Sequence, residues 1–254
     1  MKKILVLFLG LILLTPSLAF SGIVTFKIGY FIPQAKSDLW ETEFDQMNFR
    51  KNDYPNINFG FSYEYFLTRE LSLSLSLDGY TKNKSGSYNG YVGYSDMDGD
   101  WAYPDDYLGD YIPGHSFNIS ITPVQFSIKI TPMGRRGKFI PYIGGGVGLY
   151  FWSVRLRGDT IDFSDEWYDL VEEVIIYPIN RFTDVREESR IATGWHAFGG
   201  IMFPVARKIT LEAEFKYNSA KGKFPEDDPD WGFHGFDPFD LSGYQISFGL
   251  NYWF

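Results

Sequence analysis

The sequence predicts an all-β fold, an eight-stranded antiparallel up-and-down transmembrane β-barrel with long extracellular loops. Three observations predict it: eight segments of period-two hydrophobicity, connections that alternate between short and long, and strand charges confined to one face.

The first segment, Val24 to Tyr30, places apolar residues at every even number and Thr25, Lys27 and Gly29 between them. In the second, Ile57, Phe59, Phe61, Tyr63 and Tyr65 alternate with Asn58, Gly60, Ser62 and Glu64; in the third, Leu71, Leu73, Leu75 and Leu77 alternate with Ser72, Ser74, Ser76 and Asp78. A helix cannot gather such sets on one side. The fourth begins with Phe117, Ile119 and Ile121 and resumes with Val124, Phe126, Ile128 and Ile130, so its parity changes at Thr122-Pro123, and a β-bulge is expected there.

Ile143 to Phe151 forms the fifth segment, whose glycines Gly144, Gly146 and Gly148 weaken the face assignment, and Trp195 to Phe203 the sixth. Leu211, Ala213, Phe215 and Tyr217 oppose Glu212, Glu214 and Lys216 in the seventh. Tyr244, Ile246, Phe248, Leu250, Tyr252 and Phe254 oppose Gln245, Ser247, Gly249 and Asn251 in the eighth. An even number of segments of about 10 residues suits a barrel that spans a membrane.

The connections at 68–70, 132–138 and 204–208 are short, and those at 33–55, 82–116, 153–190 and 219–240 are long. Short periplasmic turns and long outer loops are the habit of such barrels. Ahead of the first strand, Lys2 and Lys3, the apolar run Ile4 to Leu14 and the small residues Ser17 and Ala19 read as a secretory signal peptide over 1–19, cleaved near Ala19 to leave one barrel domain over 20–254. The chain has no cysteine, so no disulfide holds the exported fold together.

Alternation alone also fits a secreted barrel that turns its apolar face inward around a ligand. The polar face argues otherwise, being mostly Gly, Ser, Thr and Asn where a water-facing surface carries many Lys and Glu. Large aromatics gather near strand ends as candidate interfacial girdles, with Tyr30, Phe117, Trp195 and Tyr217 toward the long loops and Tyr65, Phe139, Phe203 and Phe254 toward the short turns.

Gly249, Tyr252 and the terminal Phe254 resemble the C-terminal signal by which outer-membrane barrels are recognised by their assembly machinery. With these residues and the eight segments, the chain over 20–254 resembles the outer membrane protein β-barrel domain family of small OmpA-, OmpX- and OmpW-like barrels. The stretch Lys138-Phe139-Ile140-Pro141-Tyr142-Ile143-Gly144-Gly145-Gly146-Val147-Gly148 is similar to the glycine-rich strand midway along such barrels. The resemblance implies a location in the cell outer membrane, with its lipid and lipopolysaccharide as surroundings and the assembly machinery as a partner in biogenesis. It implies no single activity.

Charge is distributed by region. The four long loops hold 12 basic and 27 acidic residues, the short turns 6 and 1, and the strands 3 and 4. The seven strand charges, Lys27, Glu64, Asp78, Lys129, Glu212, Glu214 and Lys216, all fall on the face read as inward, where they form a candidate lumen charge network. Facing lipid at mid-depth, each would cost about 2–4 kcal/mol. So acidic an exterior offers nothing to nucleic acid.

The lipid A deacylases of this architecture place a His and a Ser two residues apart on one strand face. Here His115 is followed directly by Ser116, with Asn118 two residues past that serine, and Phe198 stands two residues after His196, so the motif is absent and no catalytic residues are assigned; His115 and His234 read as solvated loop residues. Asp96, Asp98 and Asp100 form a possible cation-binding loop, which lacks the bidentate Glu that completes an EF-hand, so no metal site and no cofactor are assigned. Ser164 to Val174, with a Ser cap and early acids, is expected to form a short amphipathic helix over the barrel mouth. Loops rich in Trp, Tyr and Asp, at 101–111 and 224–239, are candidates for contact with an external ligand.

The expected function is that of a non-enzymatic barrel with a plugged polar lumen and acidic outer loops, serving envelope integrity or surface interaction. The alternative is an OmpW-like conduit for small apolar molecules, with Phe31, Tyr80, Tyr150, Trp152 and Phe198 as its lining, and a lipid A-modifying enzyme is a third class.

Overall fold

The computed structural model describes residues 22–135, 137–224, 233 and 236–254, with backbone alone for 182–188. The expected leader over 1–19 and His234 lie outside the described residues.

The strands are β1 (Gly22–Pro33), β2 (Asn56–Phe66), β3 (Leu71–Ser87), β4 (Tyr91–Ser95), β5 (Asp100–Pro104), β6 (Gly114–Ile130), β7 (Ile140–Ile161), β8 (Trp167–Asp169), β9 (Val174–Ala206), β10 (Ile209–Gly222), β11 (Phe239–Asp240) and β12 (Gly243–Trp253), with one α-helix, α1 (Asp38–Gln46). Eight of them, β1, β2, β3, β6, β7, β9, β10 and β12, pair antiparallel in chain order, and β12 returns to β1 through Ile28↔Phe248 and Val24↔Tyr252 to close the barrel. Closure leaves no open edge, the condition for a sheet to cross hydrocarbon.

The expected bulge at Pro123 is absent. The pairs Leu77↔Val124 and Tyr80↔Ile121 flank a two-residue gap in the β3–β6 ladder but keep the same register, so no residue is inserted, and β6 pairs with β7 in constant register from His115↔Gly158 to Ile130↔Ile143. What changes at Pro123 is the polarity of the two sides of the wall. Below it, Leu77↔Val124↔Leu149 and Leu75↔Phe126↔Val147 form apolar rows on the outside, while Gln125, Ser127 and Lys129 are buried inside. Above it, the outer rows are Thr81↔Ser120↔Ser153 and Asn83↔Asn118↔Arg155, and the buried inner residues are Phe117, Ile119, Ile121, Trp152, Val154 and Leu156. The apolar run switched parity because the solvent outside the wall changed from lipid to water. Phe117 is accordingly a fully buried core residue and no part of an outer girdle.

Strands β7 and β9 rise far past the expected loop boundaries at Ser153 and Arg190, carrying the wall upward as a hairpin. The expected helix at Ser164 to Val174 is instead the tip of that hairpin, with Tyr168 paired to Ile175. Asp169 Oδ1 accepts the backbone N–H groups of Val171 and Glu172, a local bond that competes with helix formation, and Glu173 takes a left-handed φ of 55° to reverse the chain.

The helix of the cap lies in the first long loop. Asp38 and Glu41 stand in the first turn of α1, where negative charge is favoured, and Leu39, Trp40 and Glu43 face inward. Trp40 is fully buried, stacked on Phe239 at 5.3 Å and edge-on to Phe117 and Tyr54 at 5.3 and 4.9 Å. Its indole N–H donates to the Asp240 carbonyl, and the Asp240 backbone N–H donates to Ser37 Oγ, so the first and last loops are tied together over the barrel.

Candidate functional site

All seven strand charges are buried on the inner wall, in two groups. In the lower group Lys27 on β1 reaches across to β10, with Nζ 2.8 Å from Glu214 and 3.1 Å from Glu212. Lys129 on β6 lies 2.9 Å from Glu64 and 3.5 Å from Glu212. Glu212 is thus shared between two ammonium groups, and it also accepts from Asn251 Nδ2. Lys129 Nζ further lies 3.8 Å from the centre of the Tyr142 ring, whose hydroxyl donates to Glu214 at 3.0 Å.

The upper group is built on Lys216, which donates to Asp78 at 2.8 Å and to Gln125 Oε1 at 3.1 Å. Gln125 donates in turn to Tyr150 and Asn218. Beside it, Ser127 Oγ and His196 Nε2 lie 2.7 Å apart.

Four carboxylates against three lysines leave one negative charge, and Arg135 supplies the missing cation. Its guanidinium rises from the turn after β6 to 3.6 Å from Glu64, lies 3.9 Å over the Phe66 ring and donates to the carbonyls of Thr68 and Arg69. Sequence reading counted Arg135 among the basic turn residues, because no local spacing announces a side chain that folds back into a lumen.

The fit is close enough to require glycine opposite Asp78. A Cβ at Gly60 would collide with Asp78 Oδ1, whose carboxylate Lys216 holds through the other oxygen, Oδ2, whereas at Gly249 the nearest atom is a Thr25 methyl 3.0 Å away. Gly60→Ala is therefore expected to destabilise the barrel by about 1–3 kcal/mol and Gly249→Ala by less, compared by urea unfolding in detergent.

Outside, the wall facing the charge network is apolar all round: Phe26, Ile28, Phe59, Phe126, Ile128, Val147, Trp195, Phe215, Phe248 and Leu250 are half or nearly half exposed. Ions inside and hydrocarbon outside, on a closed antiparallel cylinder, is the reverse of a water-soluble barrel. The chain is an eight-stranded transmembrane β-barrel.

Neither a protein-family description nor a curated protein sequence matches the chain. Among solved structures it is similar to Neisserial surface protein A, at 12% identity over 92% of this chain and 97% of that one, with a TM-score of 0.47. It is also similar to OprG from Pseudomonas aeruginosa, at 12% identity over 92% and 96% with a TM-score of 0.45, and to the outer membrane protein W of E. coli, at 12% over 93% and 100% with a TM-score of 0.40.

The remaining candidates are placed as follows. Gly249 faces the lumen, while Tyr252 and Phe254 face outward at the lower rim, where Phe254 stacks on Tyr63 at 6.1 Å and its N–H donates to the Gly22 carbonyl. Asp96 Oδ1 is occupied by the N–H groups of Asp98, Gly99 and the Trp101 indole; Asp100 accepts from the Ser95 hydroxyl and lies 3.6 Å from Arg181. Among the described residues no group of three or more His, Asp or Glu is arranged to hold a metal ion.

His115 is buried, against the expectation of a solvated loop residue: its Nε2 is 2.8 Å from Glu43 of α1, and the rings of Phe49 and Tyr88 lie edge-on to it. The inward position of β6 that carries it has become part of the cap core. The aromatics Phe31, Tyr80, Tyr150 and Trp152 are buried on the inner wall, with Phe31 4.7 Å from Tyr80, and the cavity that Phe31, Tyr80 and Tyr150 line with Asn58, Asp78 and Pro123 is about 10 Å³.

Proposed function

We propose that this is a non-enzymatic outer-membrane protein whose lumen is plugged by its own side chains and whose acidic, aromatic surface serves envelope integrity or surface interaction. The observation that carries the reading is the charge balance of the lumen, in which three lysines and Arg135 meet four carboxylates at 2.8–3.6 Å. An eight-stranded interior is just wide enough to be filled by side chains, and ions that neutralise one another across it leave no net field to draw a permeant ion. The inner aromatics support filling over transport as well, since about 10 Å³ holds at most one water molecule.

In this reading the apolar belt meets outer-membrane lipid and the cap stands among lipopolysaccharide headgroups. Gly249, Tyr252 and Phe254, ending on the lower rim beside β1, are the segment offered to the assembly machinery.

Planar-bilayer recording of the purified barrel tests the plug. The expected result is no steady conductance above small-barrel leakage, and no increase when Lys216→Met and Asp78→Asn are combined to remove the upper pair without leaving a charge unmatched. Steady channels from the wild-type barrel would sink the plug and favour the conduit.

A further inference from the structure

Above the membrane, β4, β5, β9 and β8 form a small raised sheet, through the pairs Tyr94↔Trp101, Trp101↔Pro178 and Trp167↔Ile176. Residues opposite one another in a ladder share a face. One face carries Gly93, Ala102 and Tyr177 and is covered: Ala102 is fully buried, and a Cβ at Gly93 would run into the Tyr111 ring. The other face carries Tyr94, Trp101, Tyr103 and Trp167, with Trp167 53% and Tyr94 41% exposed and the Trp101 and Trp167 rings 5.4 Å apart. Beside it, Leu170 and Val171 at the β8–β9 turn are almost wholly exposed.

The charge around this face is of one sign. Residues 91–112 and 158–180 contain thirteen Asp and Glu and no Lys, Arg or His. The polar edges of two of these rings are already used, because the Trp101 indole N–H donates to Asp96 and the Tyr103 hydroxyl to Asp169 at 2.6 Å. That hydroxyl, with the N–H groups of Val171 and Glu172, holds the Asp169 carboxyl below the usual carboxylate range, so it is charged at neutral pH. What the face still offers a partner is ring surface and negative charge.

We infer that the exposed face centred on Trp101 and Trp167 docks a polypeptide rich in arginine and lysine. Guanidinium and ammonium groups are attracted to the faces of Trp and Tyr, and more so where a carboxylate stands beside the ring. The protein contains this arrangement once already: on the covered side, Arg181 lies 4.1 Å over the Tyr111 ring and 3.6 Å from Asp100. An anionic polysaccharide would be repelled, and a neutral sugar, although its hydroxyls can donate to carboxylates, would gain nothing from their net charge. The inference gives a partner class to the surface role proposed above and is independent of the plug, which conductance tests separately.

The test uses the full chain in phosphatidylcholine nanodiscs, with fluorescein-labelled nona-arginine as probe, at 150 mM salt. Binding is expected to weaken about tenfold in Trp101→Ala/Trp167→Ala, whose charge is unchanged. A second variant, Asp165→Asn/Glu166→Gln/Glu172→Gln/Glu173→Gln, alters only exposed side chains and is also expected to weaken binding severalfold. Wild-type affinity in either variant would overturn the proposal, the first result reducing it to a long-range field and the second removing the charge argument. Binding of a neutral chito-oligosaccharide that the tryptophan variant abolishes, with none of nona-arginine, would assign the face to sugars and overturn it too.

Discussion

Lys27→Met is expected to lower the stability of the barrel by about 3–5 kcal/mol, read as a lower urea midpoint in detergent with an unchanged slope. The methionine matches the lysine stem in volume, so packing is nearly conserved and the loss is electrostatic. Glu214, 2.8 Å from Lys27, would keep only the Tyr142 hydroxyl, and Glu212 would keep Lys129 at 3.5 Å and Asn251. Both carboxylates would then face an interior ringed by hydrocarbon without their shared cation. The double variant Lys27→Met/Glu214→Gln, which removes one cation and one anion and leaves Glu212 with Lys129, should recover most of the loss, because a matched set of ions can be replaced by neutral groups at little cost while half a set cannot. A single variant as stable as wild type would mean that water reaches these groups and screens them, and the plug would fall with it.

Trp40→Ala is expected to cost about 3–5 kcal/mol as well, but locally. The indole is the centre of the upper core, in contact with Tyr54, Phe117 and Phe239, and its N–H ties α1 to Asp240. The lower buried cluster of Ile23, Ile140, Tyr142 and Met202 is a separate one, with the ion pairs between the two. Loss of Trp40 should free the first and last loops while the eight-stranded wall stands. Limited proteolysis would show faster cleavage within residues 34–55 and 223–242, with the folded barrel's shifted mobility on unboiled gels retained. If the wall instead melted together with the loops, cap and barrel would be one cooperative unit and this division of the structure would be wrong.

The parts legible in the sequence are those governed by period two in a uniform solvent. Eight segments and the inward set of seven charges were readable because a charge such as Glu214 facing lipid is costly enough to leave a clear pattern. The upper wall was misread where that uniformity ended: Phe117, Ile119 and Ile121 looked like a slipped strand because apolar residues had been equated with the outside. One helix was expected and is absent, another is present where only a loop was expected, and the reasons are opposite. Ser164 to Val174 has helical spacing, but Asp169 in its middle takes the N–H groups a helix would need. Asp38 to Gln46 had a signal that could have been used, with Ser37 before acids in the first turn and Leu39, Trp40 and Phe44 on one side. The charged pairs Arg135–Glu64 and His115–Glu43 join residues 71 and 72 positions apart, and nothing local marks them.

The inversion of the wall at Gly79, Thr122 and Phe151 also fixes how deep the protein sits. Shifted by two residues toward the short turns, the barrel would draw Thr81, Ser120 and Ser153 toward hydrocarbon; shifted the other way, it would lift the Leu77↔Val124↔Leu149 row into water. Either displacement is opposed along three adjacent strands, β3, β6 and β7, which carry a waterline. The raised sheet is thereby held at a set height above the cell, projecting its aromatic face past the plane at which the lipid ends.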